Sequence, residues 1–115
     1  MSISPAIRQR AEAMIAAERA AFAARHPKSQ ALAREAGKHF PGGVPLHWML
    51  DWQTPFPLFV TQATGSTVTD ADGHTYVDFC LGDTGAMFGH SPAPVARAIA
   101  AQAACGMTTM LASDL

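Results

Sequence analysis

The sequence predicts an α+β arrangement: N-terminal helices, a three-stranded antiparallel meander, a glycine loop, then a helix. Three observations lead there. Apolar residues recur at helical spacing over the first 25 positions, the period switches to two after Pro57, and Gly65-Ser66 and Asp72-Gly73 divide the period-two region into three short runs.

Ser4 followed by Pro5 is an N-cap with proline at the first helical position, where its missing N–H costs nothing and its fixed φ suits the helix. Ile7, Ala11, Met14, Ile15 and Phe22 fall on one face of a helix running to Arg25. His26-Pro27 closes it, because a residue before proline is pushed out of the α region. Ser29 is expected to cap a second, shorter helix through Leu32, Ala33 and Ala36, with Gly37 as its stop. Residues 40–57 are broken by Pro41-Gly42-Gly43, Pro45, Pro55 and Pro57 around Trp48, Met49 and Trp52. Such an aromatic, proline-fixed loop packs on its own domain or lines a pocket or subunit interface, where Trp is enriched.

The strands are expected at Leu58-Phe59-Val60-Thr61, Thr67-Val68-Thr69 and Thr75-Tyr76-Val77-Asp78-Phe79, all rich in β-branched and aromatic residues. Asp72-Gly73 is read as a tight hairpin turn with positive φ at both central positions. Gly82, Gly85 and Gly89 punctuate the next loop, and Ser91-Pro92 repeats the cap-and-proline opening of a helix with Val95, Ala98, Ile99, Gln102 and Ala103 on its inner face and Gly106 at its end. Ser113-Asp114 reads as the cap of one more helix.

Composition bounds the function classes. Nearly half of the 115 residues are nominally hydrophobic, but 23 are alanine, and Leu, Ile, Val and Phe together number only 22. A net charge of −1 argues against disorder, so the chain reads as folded with a thin core that calls for partner surface or more chain. For the same reason the chain by itself is expected to fold poorly or to self-associate. Residues 1–38 hold seven Lys/Arg against three Asp/Glu, and residues 39–115 hold one against six. The basic charges are scattered without interleaved aromatics, which reads as a solvated helix face and not as a nucleic-acid surface. Cys80 and Cys105 are too few for a disulfide framework, no apolar run approaches a membrane span, and no signal or transit pattern opens the chain, so the expected setting is cytoplasmic.

Ready-made motifs fail on spacing. Asp70-Ala71-Asp72-Gly73 places its glycine fourth, not sixth, and ends the would-be twelve-residue calcium loop on Leu81 in place of Glu. Gly82, Gly85 and Gly89 match neither a dinucleotide fingerprint nor a Walker A loop. His26, His39, His47, His74 and His90 form no i, i+4 pair and no zinc spacing. From the residues alone, no complete catalytic set is present.

In combination, Phe40-Pro41-Gly42-Gly43-Val44, Pro57, Gly65, the run from Asp70 through Asp72-Gly73-His74-Thr75-Tyr76-Val77-Asp78-Phe79, Gly89-His90-Ser91-Pro92 and Ala98-Ile99 with Gln102 and Gly106 resemble the N-terminal part of class III aminotransferases, nearest their glutamate-1-semialdehyde aminomutase-like branch. The resemblance covers residues 38–115. It implies a pyridoxal-phosphate fold type I α/β parent, dimeric, exchanging an amino group between an amino acid or amine and a keto acid or aldehyde. It further implies that the Schiff-base lysine and the phosphate loop lie outside these residues, so that the chain is an inactive N-terminal segment whose intact parent binds pyridoxal 5'-phosphate. Residues 1–38 would be a helical arm on the partner subunit, residues 39–90 the aromatic loop, meander and glycine loop of a small domain, and residues 91–115 the start of a large domain. The loop after Gly43 and the loop at Thr84-Gly85 would border the substrate. Relatives carry an arginine after the proline-glycine step that grips a carboxylate. Here the run reads Val44-Pro45-Leu46-His47-Trp48, and His47 offers only a single donor. Substrate-binding candidates by resemblance are therefore His47, Thr84 and Gly85. The rival readings are an aminomutase that keeps the amino group on one molecule, and a non-enzymatic interaction module using Trp48, Trp52 and the arm.

Overall fold

The computed structural model describes residues 4–108, 110 and 111; the helix cap expected at Ser113-Asp114 lies outside them. The chain divides into two compact units, one of residues up to 61 with 69–75, the other of residues 62–68 with those from 76 onward. The meander is present as expected: β1 (Val60–Thr64), β2 (Thr67–Asp70) and β3 (Thr75–Val77) lie in the order β1-β2-β3.

In the first unit, α1 (Pro5–Arg25) starts as expected, with the Ser4 hydroxyl accepting the Ile7 N–H at 3.4 Å, and ends at His26. Its apolar face stays exposed at Ile7, Met14 and Ile15 and becomes half-buried only at Phe22, which meets Phe56 with ring centres 5.2 Å apart. α2 (Pro27–Ala36) begins three residues earlier than a cap at Ser29 requires, and Ser29 is a buried residue inside the helix. The cap comes instead from the hairpin turn: Asp72 accepts the N–H groups of Lys28 and Ser29 at 2.7 and 2.9 Å. Proline is pre-organised for the first helical position, and a carboxylate at a helix N-terminus meets the positive end of the dipole with a full charge, which a hydroxyl lacks. Desolvation pushes the Asp72 carboxyl up, and the Ser29 and Lys28 N–H groups outweigh it, so its pKa lies below the ordinary carboxylate value.

The β2–β3 turn departs from the expected two-residue form. The Gly73 N–H donates to the Asp70 carbonyl at 3.1 Å and the Asp70 N–H to the His74 carbonyl at 2.9 Å, leaving residues 71–73 as the loop. Gly73 has φ 93° but Asp72 does not share a positive φ, the pattern of a type I turn followed by a left-handed bulge residue. β1 begins at Val60, so Leu58 and Phe59 precede the strand that was expected to contain them, although the Phe59 carbonyl still accepts the Ala71 N–H at 2.7 Å. Residues 40–57 contain only two single 3-10 turns, Pro41–Gly43 and His47–Leu50. Val44, 5% exposed, is the one buried large apolar side chain among the described residues, in keeping with the thin core.

In the second unit α3 (Ala93–Ala103) has Pro92 at its N-cap, not Ser91. Ser91 takes a left-handed φ of 52° and turns its hydroxyl to the Ala63 carbonyl at 3.0 Å, so the hydroxyl is spent on β1 and the helix starts without a side-chain cap. The Gln102 side-chain amide donates to the Gly106 carbonyl at 2.8 Å just past the helix end. Val95 and Ile99, read as an inner face, are half exposed.

Candidate functional site

The glycine loop is tied at both ends by one carboxylate. β3 stops at Val77, short of the expected Phe79; the Asp78 N–H still donates to the Ser66 carbonyl at 2.8 Å, while its carboxylate turns to the loop, one oxygen accepting the N–H groups of Cys80 and Leu81 at 2.9 and 3.0 Å and the other accepting His90 Nε2–H at 2.7 Å. His90 is itself fixed by a reciprocal backbone bridge to Gly65. Between these anchors Leu81, Gly82 and Asp83 run consecutively left-handed, at φ 51°, 61° and 63°. That conformation costs a non-glycine residue about 1–2 kcal/mol, so Leu81 and Asp83 hold it only because the anchors over-determine the loop. Thr84 and Gly85 sit on the exposed outer turn. Gly85 lines a cavity of about 490 Å³ with Phe88, Pro92, Val95 and Ile99, and Thr84 does not.

The His90 hydrogen bond, followed by the Leu81 N–H, holds the Asp78 carboxyl below the ordinary 3.8. A carboxylate whose folded pKa is depressed stabilises the fold above its unfolded value, and that contribution disappears as pH falls through the lower folded value. The Asp78→Asn variant is therefore expected to lose less thermal stability than the parent between pH 6 and pH 3, read as Tm against pH. Parallel curves for the two proteins would refute the role assigned to this carboxylate.

In the first unit, the proline-fixed aromatic segment forms an apolar groove of about 580 Å³, lined by Val44, Trp48, Met49, Trp52, Leu58 and Phe59 among others. Trp48 and Trp52 remain substantially exposed beside this groove. His47 begins the second 3-10 turn, is exposed, and is not part of the groove wall that its neighbour Trp48 helps to form. Of the three candidates, His47 thus belongs to the first unit and Thr84 with Gly85 to the second.

A third grouping is only partly legible in the sequence. Asp70, 2% exposed, receives the N–H groups of Asp72 and His74 on one oxygen at 2.9 and 2.8 Å. Its other oxygen stands 3.1 Å from His74 Nδ1 and 3.5 Å from His26 Nε2. Asp70 and His74 are four apart across a turn, a signal available in the sequence, whereas His26 arrives from the far end of α1 and could be found only from the fold.

No protein-family model matches the chain. A glutamate-1-semialdehyde 2,1-aminomutase of Thermoplasma volcanium is 40% identical over 81 residues, covering 69% of this chain and 18% of that protein. Among solved structures, a glutamate-1-semialdehyde aminomutase from Pseudomonas aeruginosa is 48% identical with a TM-score of 0.83, over 92% of this chain and 23% of that one; a variant of it was solved in complex with PMP. A β-phenylalanine aminotransferase from Variovorax paradoxus is 25% identical with a TM-score of 0.78, over 89% of this chain and 23% of that one. The chain thus spans about a fifth of the length of the relatives it matches.

Proposed function

We propose that this chain, built on the fold of the pyridoxal-phosphate-dependent transaminases and allied in sequence to their class III, aminomutase-like branch, supplies the substrate-facing and subunit-facing parts of an aminotransferase. The parent enzyme would exchange an amino group between an amino acid or amine and a keto acid or aldehyde, as a homodimer. The observation that carries this reading is the 48% identity and TM-score of 0.83 over 92% of the chain. Residues 1–38 act as the arm, residues 39–90 as the substrate-bordering part, and residues 91–115 as the lead into the large domain.

The residues described here do not by themselves fit the cofactor. Lys38 is exposed and paired with Glu35 at 2.6 Å, and Lys28 lies exposed at the start of α2, so neither offers a sheltered amine for a Schiff base. The glycine loop carries acidic Asp83 and no basic side chain to cradle a phosphate. No chemical step is therefore assigned to these residues. Their part is recognition, assigned residue by residue from the resemblance: His47 offers one hydrogen-bond donor to a substrate carboxylate, Thr84 and Gly85 belong to a loop that borders substrate, and the apolar groove of the first unit favours a hydrophobic substituent or a partner's side chains. A single donor replaces the bidentate grip of an arginine, so affinity for carboxylates is modest.

The names of the relatives also support a second reading, an isomerase that moves the amino group within one molecule. Expression of the whole reading frame, followed by product analysis with and without an added keto acceptor, separates the two. Acceptor-dependent turnover supports the aminotransferase, acceptor-independent isomerisation supports the aminomutase, and no pyridoxal phosphate binding overturns both. Within an active enzyme, His47→Ala is expected to raise KM for carboxylate substrates about tenfold, the worth of one lost charge-assisted hydrogen bond, with little change in kcat. An unchanged KM would remove His47 from the site.

A further inference from the structure

We propose that His26, Asp70 and His74 bind a divalent transition-metal ion, zinc being the best match, at a place separate from the substrate-recognition residues. One donor atom from each residue lies within 4.8 Å of the other two. The Asp70 oxygen is 3.1 Å from His74 Nδ1 and 3.5 Å from His26 Nε2. Two donors bound at zinc's 2.0–2.1 Å on a tetrahedron are about 3.3 Å apart, so both spacings are close to coordination edges. Two imidazoles and one carboxylate are a borderline donor set suited to zinc and its neighbours and unlike the all-oxygen shells of calcium or magnesium.

The supporting contacts are those of a metal site. His26 Nδ1–H donates to the Phe22 carbonyl at 2.7 Å, which fixes the tautomer and directs the Nε2 lone pair at the cluster. The Phe22 ring lies 4.2 Å from the imidazole and limits its rotation. The Asp72 and His74 N–H groups occupy one Asp70 oxygen, turning the other toward both rings. His26 and Asp70 are buried while His74 is 40% exposed, so the ion has an entry side and a fourth position open to water. The bound ion would join the end of α1 to the β2–β3 turn.

Cobalt(II) is the probe, added to the metal-free protein expressed from its whole reading frame. One equivalent is expected to give the visible bands of a four-coordinate site, which zinc then bleaches, and zinc is expected to raise Tm. His74→Ala removes a half-exposed side chain and should retain the fold by circular dichroism while weakening binding at least tenfold. His39→Ala, on the exposed face of the first unit, should leave binding unchanged. Absence of the bands, or equal binding by His74→Ala and the parent, overturns the proposal.

Discussion

Asp70→Ala is expected to destabilise the first unit by on the order of 3 kcal/mol, the sum of two stranded N–H groups and the lost histidine contacts. Asp70 is almost wholly buried, and one oxygen of its carboxylate accepts the N–H groups of Asp72 and His74 while the other stands beside the His74 and His26 rings. Alanine leaves those donors without their acceptor and releases the turn that carries Asp72, the cap of α2. The loss therefore spreads from the hairpin to the helix pair. A domain with so little buried apolar surface has few other contributions to offset it, since whole-domain stabilities are only about 5–15 kcal/mol. Urea unfolding followed by far-ultraviolet circular dichroism measures the effect as a fall in midpoint. Asp70→Asn, which keeps an acceptor oxygen but not the charge, should fall between alanine and the parent. A midpoint unchanged in Asp70→Ala would show that the turn is held by its backbone alone.

Sequence reading succeeded wherever one short stretch decides the outcome. Ser4-Pro5 opened α1, His26-Pro27 closed it, and the two turn signals placed three strands in meander order. It failed where a distant group competed for the same role. Ser29 has the chemistry of a cap, but Asp72, 43 residues away, reaches the helix start with a full charge. Ser91 looked like a cap and instead bonds Ala63, 28 residues back. Asp78 lies in a run of β-branched and aromatic residues that reads as strand through Phe79, yet β3 ends at Val77, and the Asp78 carboxylate is taken up by Cys80, Leu81 and His90 while only its N–H stays on the Ser66 carbonyl. The same limit applies to the site: the glycine spacing marked a tightly turned loop, whereas its fastening by Asp78 and His90, and the approach of His26 to Asp70, depend on tertiary pairing that no local pattern encodes.

Gly43→Ala should cost about 2–3 kcal/mol and disturb the groove along with the fold. Gly43 has φ 74°, where an L residue loses about 1–2 kcal/mol, and a Cβ there would stand 3.1 Å from the Ala33 carbonyl oxygen and 3.4 Å from the Gly37 nitrogen. Those neighbours are backbone atoms at the end of α2, so relief requires moving the helix end or the loop. Overpacking of this kind adds about 1 kcal/mol or more to the conformational cost. The adjacent Gly42 makes the informative control. It has a similar φ of 70°, and its Cβ would come nearer still to a neighbour, 2.6 Å from Leu50 Cδ1. That atom is the tip of an exposed side chain able to swing away, leaving mainly the backbone cost. The expected order of urea midpoints is therefore parent above Gly42→Ala above Gly43→Ala, although simple proximity argues the reverse. Because Gly43 and Val44 form one wall of the groove, the Gly43 variant should also shift tryptophan fluorescence from Trp48 and Trp52 in the still-folded protein. Equal midpoints for the two alanine variants would mean that α2 yields freely, and that the proline-glycine step is fixed only by its own backbone angles.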